Sequence, residues 1–373
     1  MKLIFVDNSL SMLLNFRLDV VEHYMKQGHT CILCYPISTE KKELMANMSN
    51  EIIFAPVQCE PSKISPKKDL GYLKALRKLY KKERPDIIFH YTIKPNIYGT
   101  IAAKSLGLKC VDMVAGLGYM FQDDGVKNIV GRFMYKFALR RANHVITLNQ
   151  TIYNLLLKKG YVKKGTFELF TGGEGVNLSK YPYTKNSFDN IHFLMIARVL
   201  YDKGYSEFVE ASSLVKQKYP NTAFELLGPF DEKSPMGVPK TIVEQDVKNG
   251  KINYLGVTDN VPEIVKRSGV VVVLPSYHEG LNRTLMEACA MARPIITSDI
   301  PGCKEAVDEN VNGFLVPKKD AKALADAMIR FIELPEQQKI DMAEASYQKA
   351  VNSFSHEDVL KKYDVILSKL SKR

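Results

Sequence analysis

The sequence predicts an α/β protein built from two doubly wound, Rossmann-like domains facing a cleft. Three observations predict it. Short apolar, β-branched runs alternate with helical patterns along the chain, as in parallel sheets covered by helices. A polar stretch at residues 178–190, with Pro182 and several Asn, Asp and Ser residues, breaks that alternation near the middle. The length, 373 residues, leaves room for two cores. The domains expected are residues 1–180 and 181–355, followed by a last helix over residues 356–373.

In chain order, the first half offers strands at residues 3–6, 31–35, 52–55, 86–90, 110–114, 144–148 and 167–170. The second half repeats the scheme at 193–197, 223–227, 253–255, 270–274, 294–297 and 314–316. Helices fit between most of them. The last helix spans residues 356–370, with Ser355 as its N-cap. No repeat of 20–50 residues and no low-complexity tract is present.

Composition excludes several classes. Apolar residues make up 46% of the chain, as in ordinary globular proteins, and no run of 18 uncharged apolar residues occurs, so no spanning helix is expected. The start, Met1-Lys-Leu-Ile-Phe-Val-Asp7, is a short strand cut by an acid, without a secretory apolar core. A cytoplasmic protein is expected. Cys31 and Cys34 have a CxxC spacing but share one strand, so they point to opposite faces; buried thiols are the expectation for the six cysteines.

The net charge of +11 is uneven. Residues 1–180 carry 27 Lys and Arg against 15 Asp and Glu, a net of +12; residues 181–373 carry 25 against 26, a net of −1. Lys67 to Arg84 reads as a basic amphipathic helix. Further basic groups are Arg132, Lys136, Arg140 and Arg141, then Lys158, Lys159, Lys163 and Lys164. Such faces are solvated or meet an anionic membrane surface. No nucleic-acid reader motif is present, and nucleic acid is not an expected partner.

Chemistry concentrates in Pro275-Ser-Tyr-His-Glu279-Gly-Leu-Asn-Arg-Thr-Leu-Met-Glu287. The apolar run before it is a buried strand, and residues 282–292 favour helix. Glu279 is expected on the loop and Glu287 about two turns into the helix, on nearly the same face. Gly280 permits close backbone approach, and the helix N-terminus offers N–H groups to an anion. Carboxylates for hydroxyl groups beside an anion site suit a nucleotide sugar. On spacing alone, a solvated loop is an equal account. A second strand, residues 191–197, runs into Arg198 and Lys203-Gly204. Two cations on one strand-to-helix loop can grip a diphosphate.

These segments resemble the family-four glycosyltransferases. The likeness is carried by Ala197-Arg198 with Lys203-Gly204, by Gly256-Val-Thr-Asp-Asn-Val-Pro262, and by Ser276-Tyr-His-Glu279-Gly280 with Glu287-Ala288. It continues through Pro294-Ile-Ile-Thr-Ser-Asp299-Ile-Pro-Gly302 and Asn312-Gly313-Phe314. Asn15-Phe16-Arg17, Lys94-Pro95-Asn96, Gly116-Leu-Gly118 and Gly173-Glu174-Gly175-Val176-Asn177 resemble a bacterial branch that builds surface polysaccharides and lipid-linked oligosaccharides.

The resemblance implies the GT-B fold, a nucleotide-sugar donor such as a UDP-sugar, and a glycan or lipid-linked glycan acceptor. It also implies retention of anomeric configuration, and a last helix that crosses back to the N-terminal domain. By the same resemblance Arg198 and Lys203 hold the diphosphate, Glu287 the ribose and Glu279 the sugar. Gly256 and Val257 border the base. Gly280, Leu281, Asn282, Thr284 and Leu285 belong to the loop and helix start whose backbone N–H groups meet the donor. Asn15, Arg17, Lys94, Gly116 and Gly118 fall on the acceptor side. The chain departs from many relatives in lacking a glycine-rich first loop and a histidine near Val114-Ala115-Gly116; His90 precedes Lys94-Pro95-Asn96 at a strand end, where a lone histidine is commonly structural. No D-x-D triplet occurs, so neither metal nor cofactor is expected. A non-catalytic nucleotide-sugar-binding protein and a nucleotide-sugar epimerase are other uses of this fold.

Overall fold

The computed structural model describes every residue except 41, 47, 61–64, 122–124 and 373. It divides into two compact units, residues 1–174 with 358–373, and residues 175–357.

In unit 1 the chain runs β1 (Lys2–Val6), α1 (Leu10–Phe16), α2 (Leu18–Lys26), β2 (Thr30–Pro36), α3 (Lys42–Ala46), β3 (Ile53–Val57) and α4 (Pro66–Glu83). It continues through β4 (Ile87–Tyr91), α5 (Thr100–Lys104), β5 (Lys109–Val114), α6 (Val126–Leu139), β6 (His144–Thr147), α7 (Gln150–Lys158) and β7 (Phe167–Leu169). These strands form one parallel sheet in the order β3-β2-β1-β4-β5-β6-β7.

Unit 2 holds β8 (His192–Ile196), α8 (Tyr205–Lys218), β9 (Ala223–Leu227), α9 (Lys240–Lys248), β10 (Asn253–Gly256), α10 (Val261–Val265) and β11 (Val270–Leu274). Then come α11 (Arg283–Ala290), β12 (Ile295–Ser298), β13 (Gly313–Val316), α12 (Ala321–Glu333) and α13 (Glu336–Ser353); the last helix, α14 (His356–Ser371), belongs to unit 1 from residue 358 on. Its parallel sheet has the order β10-β9-β8-β11-β12-β13.

Every strand expected from the sequence is present, with ends moved by at most two residues. The β11 run shows why. Val271 and Val273 enter one core and Val270, Val272 and Leu274 the other, so both faces are covered and the sequence must be apolar throughout. Unit 1 behaves alike: Cys34 joins the core under one face, while the Cys31 thiol turns toward Val21 O on the other. All six cysteines are free thiols.

Beyond residue 358, α14 packs on unit 1. Tyr363 sits against Phe89 and Phe170, with ring centroids 5.6 and 5.5 Å apart, and Lys109 Nζ donates to Leu370 O at 2.7 Å. The polar stretch 178–190 lies on unit 2, where Asn186 Oδ1 accepts from Gly269 N at 2.8 Å. Arg293, wholly buried, donates to Thr184 O, Val265 O and Lys266 O, and burial pushes its pKa down to about 10.

Candidate functional site

Each sheet begins in its middle, grows outward, and then restarts on the other side of its first strand. The switch points therefore lie between β8 and β11 in unit 2, and between β1 and β4 in unit 1. Loops beyond the carboxyl ends of such strands form the crevice where open α/β sheets bind ligands.

In unit 2 those loops carry the charges singled out above. Lys203 ends a 3₁₀ turn after β8, and its Nζ meets Glu279 Oε1 at 2.7 Å. The pair is mostly buried, at 18% and 10% exposure of its side chains. Arg198 Nη1 reaches Asp231 Oδ2, also at 2.7 Å, but this pair lies at the surface. The loops are sewn together: Tyr277 N donates to Asp202 O at 2.8 Å, and Tyr277 OH to Glu207 Oε1 at 2.7 Å. Two glycines permit this approach. At Gly204 (φ +84°) an added Cβ would lie 2.3 Å from Pro275 O, and at Gly302 (φ +94°) 2.7 Å from the Glu279 backbone.

Glu287 stands differently from the expectation. Asn282 caps α11, accepting from Leu285 N at 3.0 Å, so the helix starts at Arg283 and Glu287 is little more than one turn in. Its carboxylate takes Arg283 Nε at 2.8 Å, whereas Glu279 turns to Lys203. The two carboxylates thus have separate cationic partners. Burial raises the Glu287 pKa, while Arg283 and Tyr181 pull it down. Of the backbone N–H groups in residues 281–285, that of Leu285 is spent on the cap and that of Asn282 on Gly302 O. Gly280, Leu281 and Thr284 lie on the same loop and helix start. Gly256 ends β10 with φ +78°, and the following Val257 is 64% exposed.

At the switch point of unit 1, Arg17 lies between α1 and α2, buried, with its guanidinium 4.1 Å from the Tyr91 ring and ion-paired to Glu174. Asp7, at the end of β1, is fully buried. Burial raises its pKa to about 7, and the Arg17 charge opposes the rise. Sequence reasoning marks Asp7 only as the acid that ends β1, and gives Asp231 and Glu174 no role. An acid closing a buried strand is the available signal for Asp7; nothing in the chain announces Asp231.

Of the remaining residues expected on the acceptor side, Asn15 is exposed on α1. Lys94 is committed inward, to Asp69 Oδ1 at 2.7 Å and Glu60 O at 2.6 Å. Space lies open around Gly116, and Gly118 (φ +60°) packs on Ile93. His90 is wholly buried between Tyr80 OH at 3.0 Å and Asp112 Oδ1 at 2.8 Å, with Thr100 Oγ1 also donating to Asp112. Together with Cys110 this is the one group of metal-ligand atoms among the described residues. Its donors are already paired within the protein, as a structural network requires.

Residues 184–349 match the family model described as Glycosyl transferases group 1, and residues 3–149 match Glycosyl transferase 4-like. The chain belongs to the family-four glycosyltransferases. It is 29% identical over 322 residues to the N,N'-diacetylbacillosaminyl-diphospho-undecaprenol alpha-1,3-N-acetylgalactosaminyltransferase of Campylobacter jejuni, covering 78% of this chain and 80% of that one. It is 27% identical over 329 residues to the UDP-Gal:alpha-D-GlcNAc-diphosphoundecaprenol alpha-1,3-galactosyltransferase of Escherichia coli, covering 84% and 81%. A glycosyltransferase from Rickettsia africae superposes with a TM-score of 0.81 at 20% identity, covering 100% and 99% of the two chains. Anabaena HepE in complex with UDP does so at 0.81 and 19%, covering 99% and 100%. At such identities these two structures establish the fold of this glycosyltransferase, GT-B.

Proposed function

We propose that this glycosyltransferase moves a hexosyl or N-acetylhexosaminyl group from a UDP-sugar to a polyprenyl-diphosphate-linked saccharide, retaining anomeric configuration without a metal. The observation that carries the reading is the set of two cations on one loop of the unit 2 switch point, each held by a carboxylate. The names of the relatives, which specify diphospho-undecaprenol acceptors, support the acceptor class.

Lys203 and Arg198 would receive the donor diphosphate. Asp231 is exposed enough to yield its place to phosphate oxygens, and a point charge beside a planar fork suits two phosphates. Glu279, released or shared by Lys203, would accept from sugar hydroxyls. Glu287, steadied by Arg283, would hold the ribose, with the base over Gly256 and Val257. In a front-face displacement the anomeric C–O bond to the diphosphate breaks as the acceptor oxygen bonds the same face. The acceptor proton passes to the departing diphosphate, whose charge the two cations stabilise. The enzyme would work at the inner face of the cytoplasmic membrane as a peripheral protein; no helix among the described residues is long and apolar enough to cross one.

The test is turnover with UDP-, GDP- and ADP-sugars, with and without a polyprenyl-diphosphate-linked saccharide. UDP release that requires the acceptor, with a product of retained anomeric configuration, is the expected result. Interconversion of the donor without acceptor would mark an epimerase, and binding without consumption a non-catalytic protein.

A further inference from the structure

The basic helix most conspicuous in the sequence, α4, keeps its main apolar side chains indoors. Tyr72, Leu76 and Tyr80 are buried, and mostly charge is left outside. The opposite arrangement holds in α6. Val126, Ile129, Val130, Phe133 and Phe137 are exposed, at 77%, 51%, 53%, 71% and 39%. Their spacing of i, i+3, i+4, i+7 and i+11 places them on one stripe about 100° wide. The buried residues Tyr135, Ala138 and Leu139 lie on the other side of the helix. So α6 has two apolar faces, one in the core of unit 1 and one bare.

Charge frames the bare face. From residue 125 to residue 167 there is no Asp or Glu, against nine Lys and Arg. Lys136 and Arg140 fall along one border of the stripe and Arg141 along the other. Lys136 Nζ donates to Lys159 O at 2.7 Å, and Arg140 Nη1 to Gly160 O at 3.0 Å. These bonds hold the turn bearing the exposed Lys158, Lys159, Lys163 and Lys164 beside the end of α6. An apolar stripe bordered by these cations matches the depth profile of an anionic bilayer, with acyl chains below and phosphate above. A second copy of this cation-bordered surface would set like charges against each other and lack that complementarity.

We propose that α6 is the segment by which unit 1 docks on an anionic lipid bilayer, its Phe133 stripe entering the headgroup–acyl boundary. The biological sense of this docking rests on the lipid-linked acceptor proposed above, but vesicle binding is measured with no sugar present.

The chain contains no tryptophan, so Phe133→Trp creates a single reporter. Its emission should shift to the blue on adding phosphatidylglycerol–phosphatidylcholine vesicles, and far less with pure phosphatidylcholine. The shift should shrink as salt rises. A Val247→Trp control on α9 should not respond. Ile129→Glu with Phe133→Glu should cut the vesicle-bound fraction at least tenfold in sedimentation. The UDP-induced thermal shift, which reports an intact unit 2, should not change. Lys74→Glu with Lys81→Glu on α4 should cost less. A Phe133→Trp reporter whose emission does not move, stripe variants that bind like wild type, or a concentration-dependent dimer dissolved by the stripe variants without any vesicle binding would each overturn the proposal. Vesicle binding intact alongside no response to any nucleotide sugar would instead sink the donor reading and leave the docking standing.

Discussion

Arg17 and Arg198 both follow the first strand of their sheet beside the switch point, Arg198 on the loop directly after β8 and Arg17 one short helix later, between α1 and α2. Their surroundings are opposite. Arg17 keeps 4% of its side chain exposed and is locked against Glu174, near Asp7 and the Tyr91 ring. Arg198 keeps 56% and is held by a part-exposed Asp231. A buried cation whose partner is fixed contributes to the fold and resists exchange. An exposed cation with a replaceable partner adds little stability and is ready for an incoming anion. One topology therefore supplies both a locked ion pair and an exchangeable one, and burial decides which.

The largest effect that could break this comparison is the loss of Arg17. Arg17→Ala strands Glu174 and Asp7 and should lower stability by about 3–5 kcal/mol. Arg198→Ala should stay within about 1 kcal/mol of wild type. Urea unfolding of both variants decides it, and similar losses would erase the distinction between the two loops.

Next in size is catalysis. Lys203→Ala should lower kcat by about 10²-fold, as when a preorganised charge stabiliser is removed. Wild-type turnover by the folded variant would remove Lys203 from the site.

A sharper division is expected between the two glutamates of unit 2. Glu287→Ala should weaken free UDP and donor alike, whereas Glu279→Ala should spare free UDP and damage transfer. Calorimetric titration with UDP compares them; equal loss in both would merge their roles.

The smallest effect is a pH slope. The folded Asp7 carboxyl, with its pKa near 7, keeps a proton that the unfolded chain has already released above about pH 4. Wild-type stability should therefore fall as pH rises from about 4 to about 7, and Asp7→Asn should lack that component. Urea midpoints at pH 5 and pH 8 compare the two. A steeper fall in the Asn variant would mean Asp7 is charged throughout, as Arg17 alone would make it.

The strands were legible because a parallel strand covered on both faces must be apolar without interruption, as at Val270–Leu274. Their ends were less so, since neighbouring strands decide where a ladder stops. At the site, residue types and loop positions could be read, but pairing could not. Lys203 and Glu279 are joined only by the approach of two loops, and the choice of Asp231 for Arg198 has no local signal. The start of α11 lies later than its helix formers suggest, because Asn282 is the cap and not the first helical residue. In α6 the periodicity announces apolar residues on two sides. Only packing shows that Tyr135 has a cover and that Phe133 has none.

The return of α14 to unit 1 has a consequence for how the protein comes into being. Residues 1–174 leave the ribosome first, yet the piece that completes their unit begins at 358, so all of residues 175–357 must be made in between. At about 5–20 residues per second, that interval is on the order of 10–40 s. Throughout it, Phe89 and Phe170 wait for Tyr363, and by its end the second unit, one unbroken segment, is whole and can close its core. The half that is translated first is thus the half that finishes last. A nascent chain stalled before residue 358 would present an open aromatic face to chaperones from its N-terminal unit.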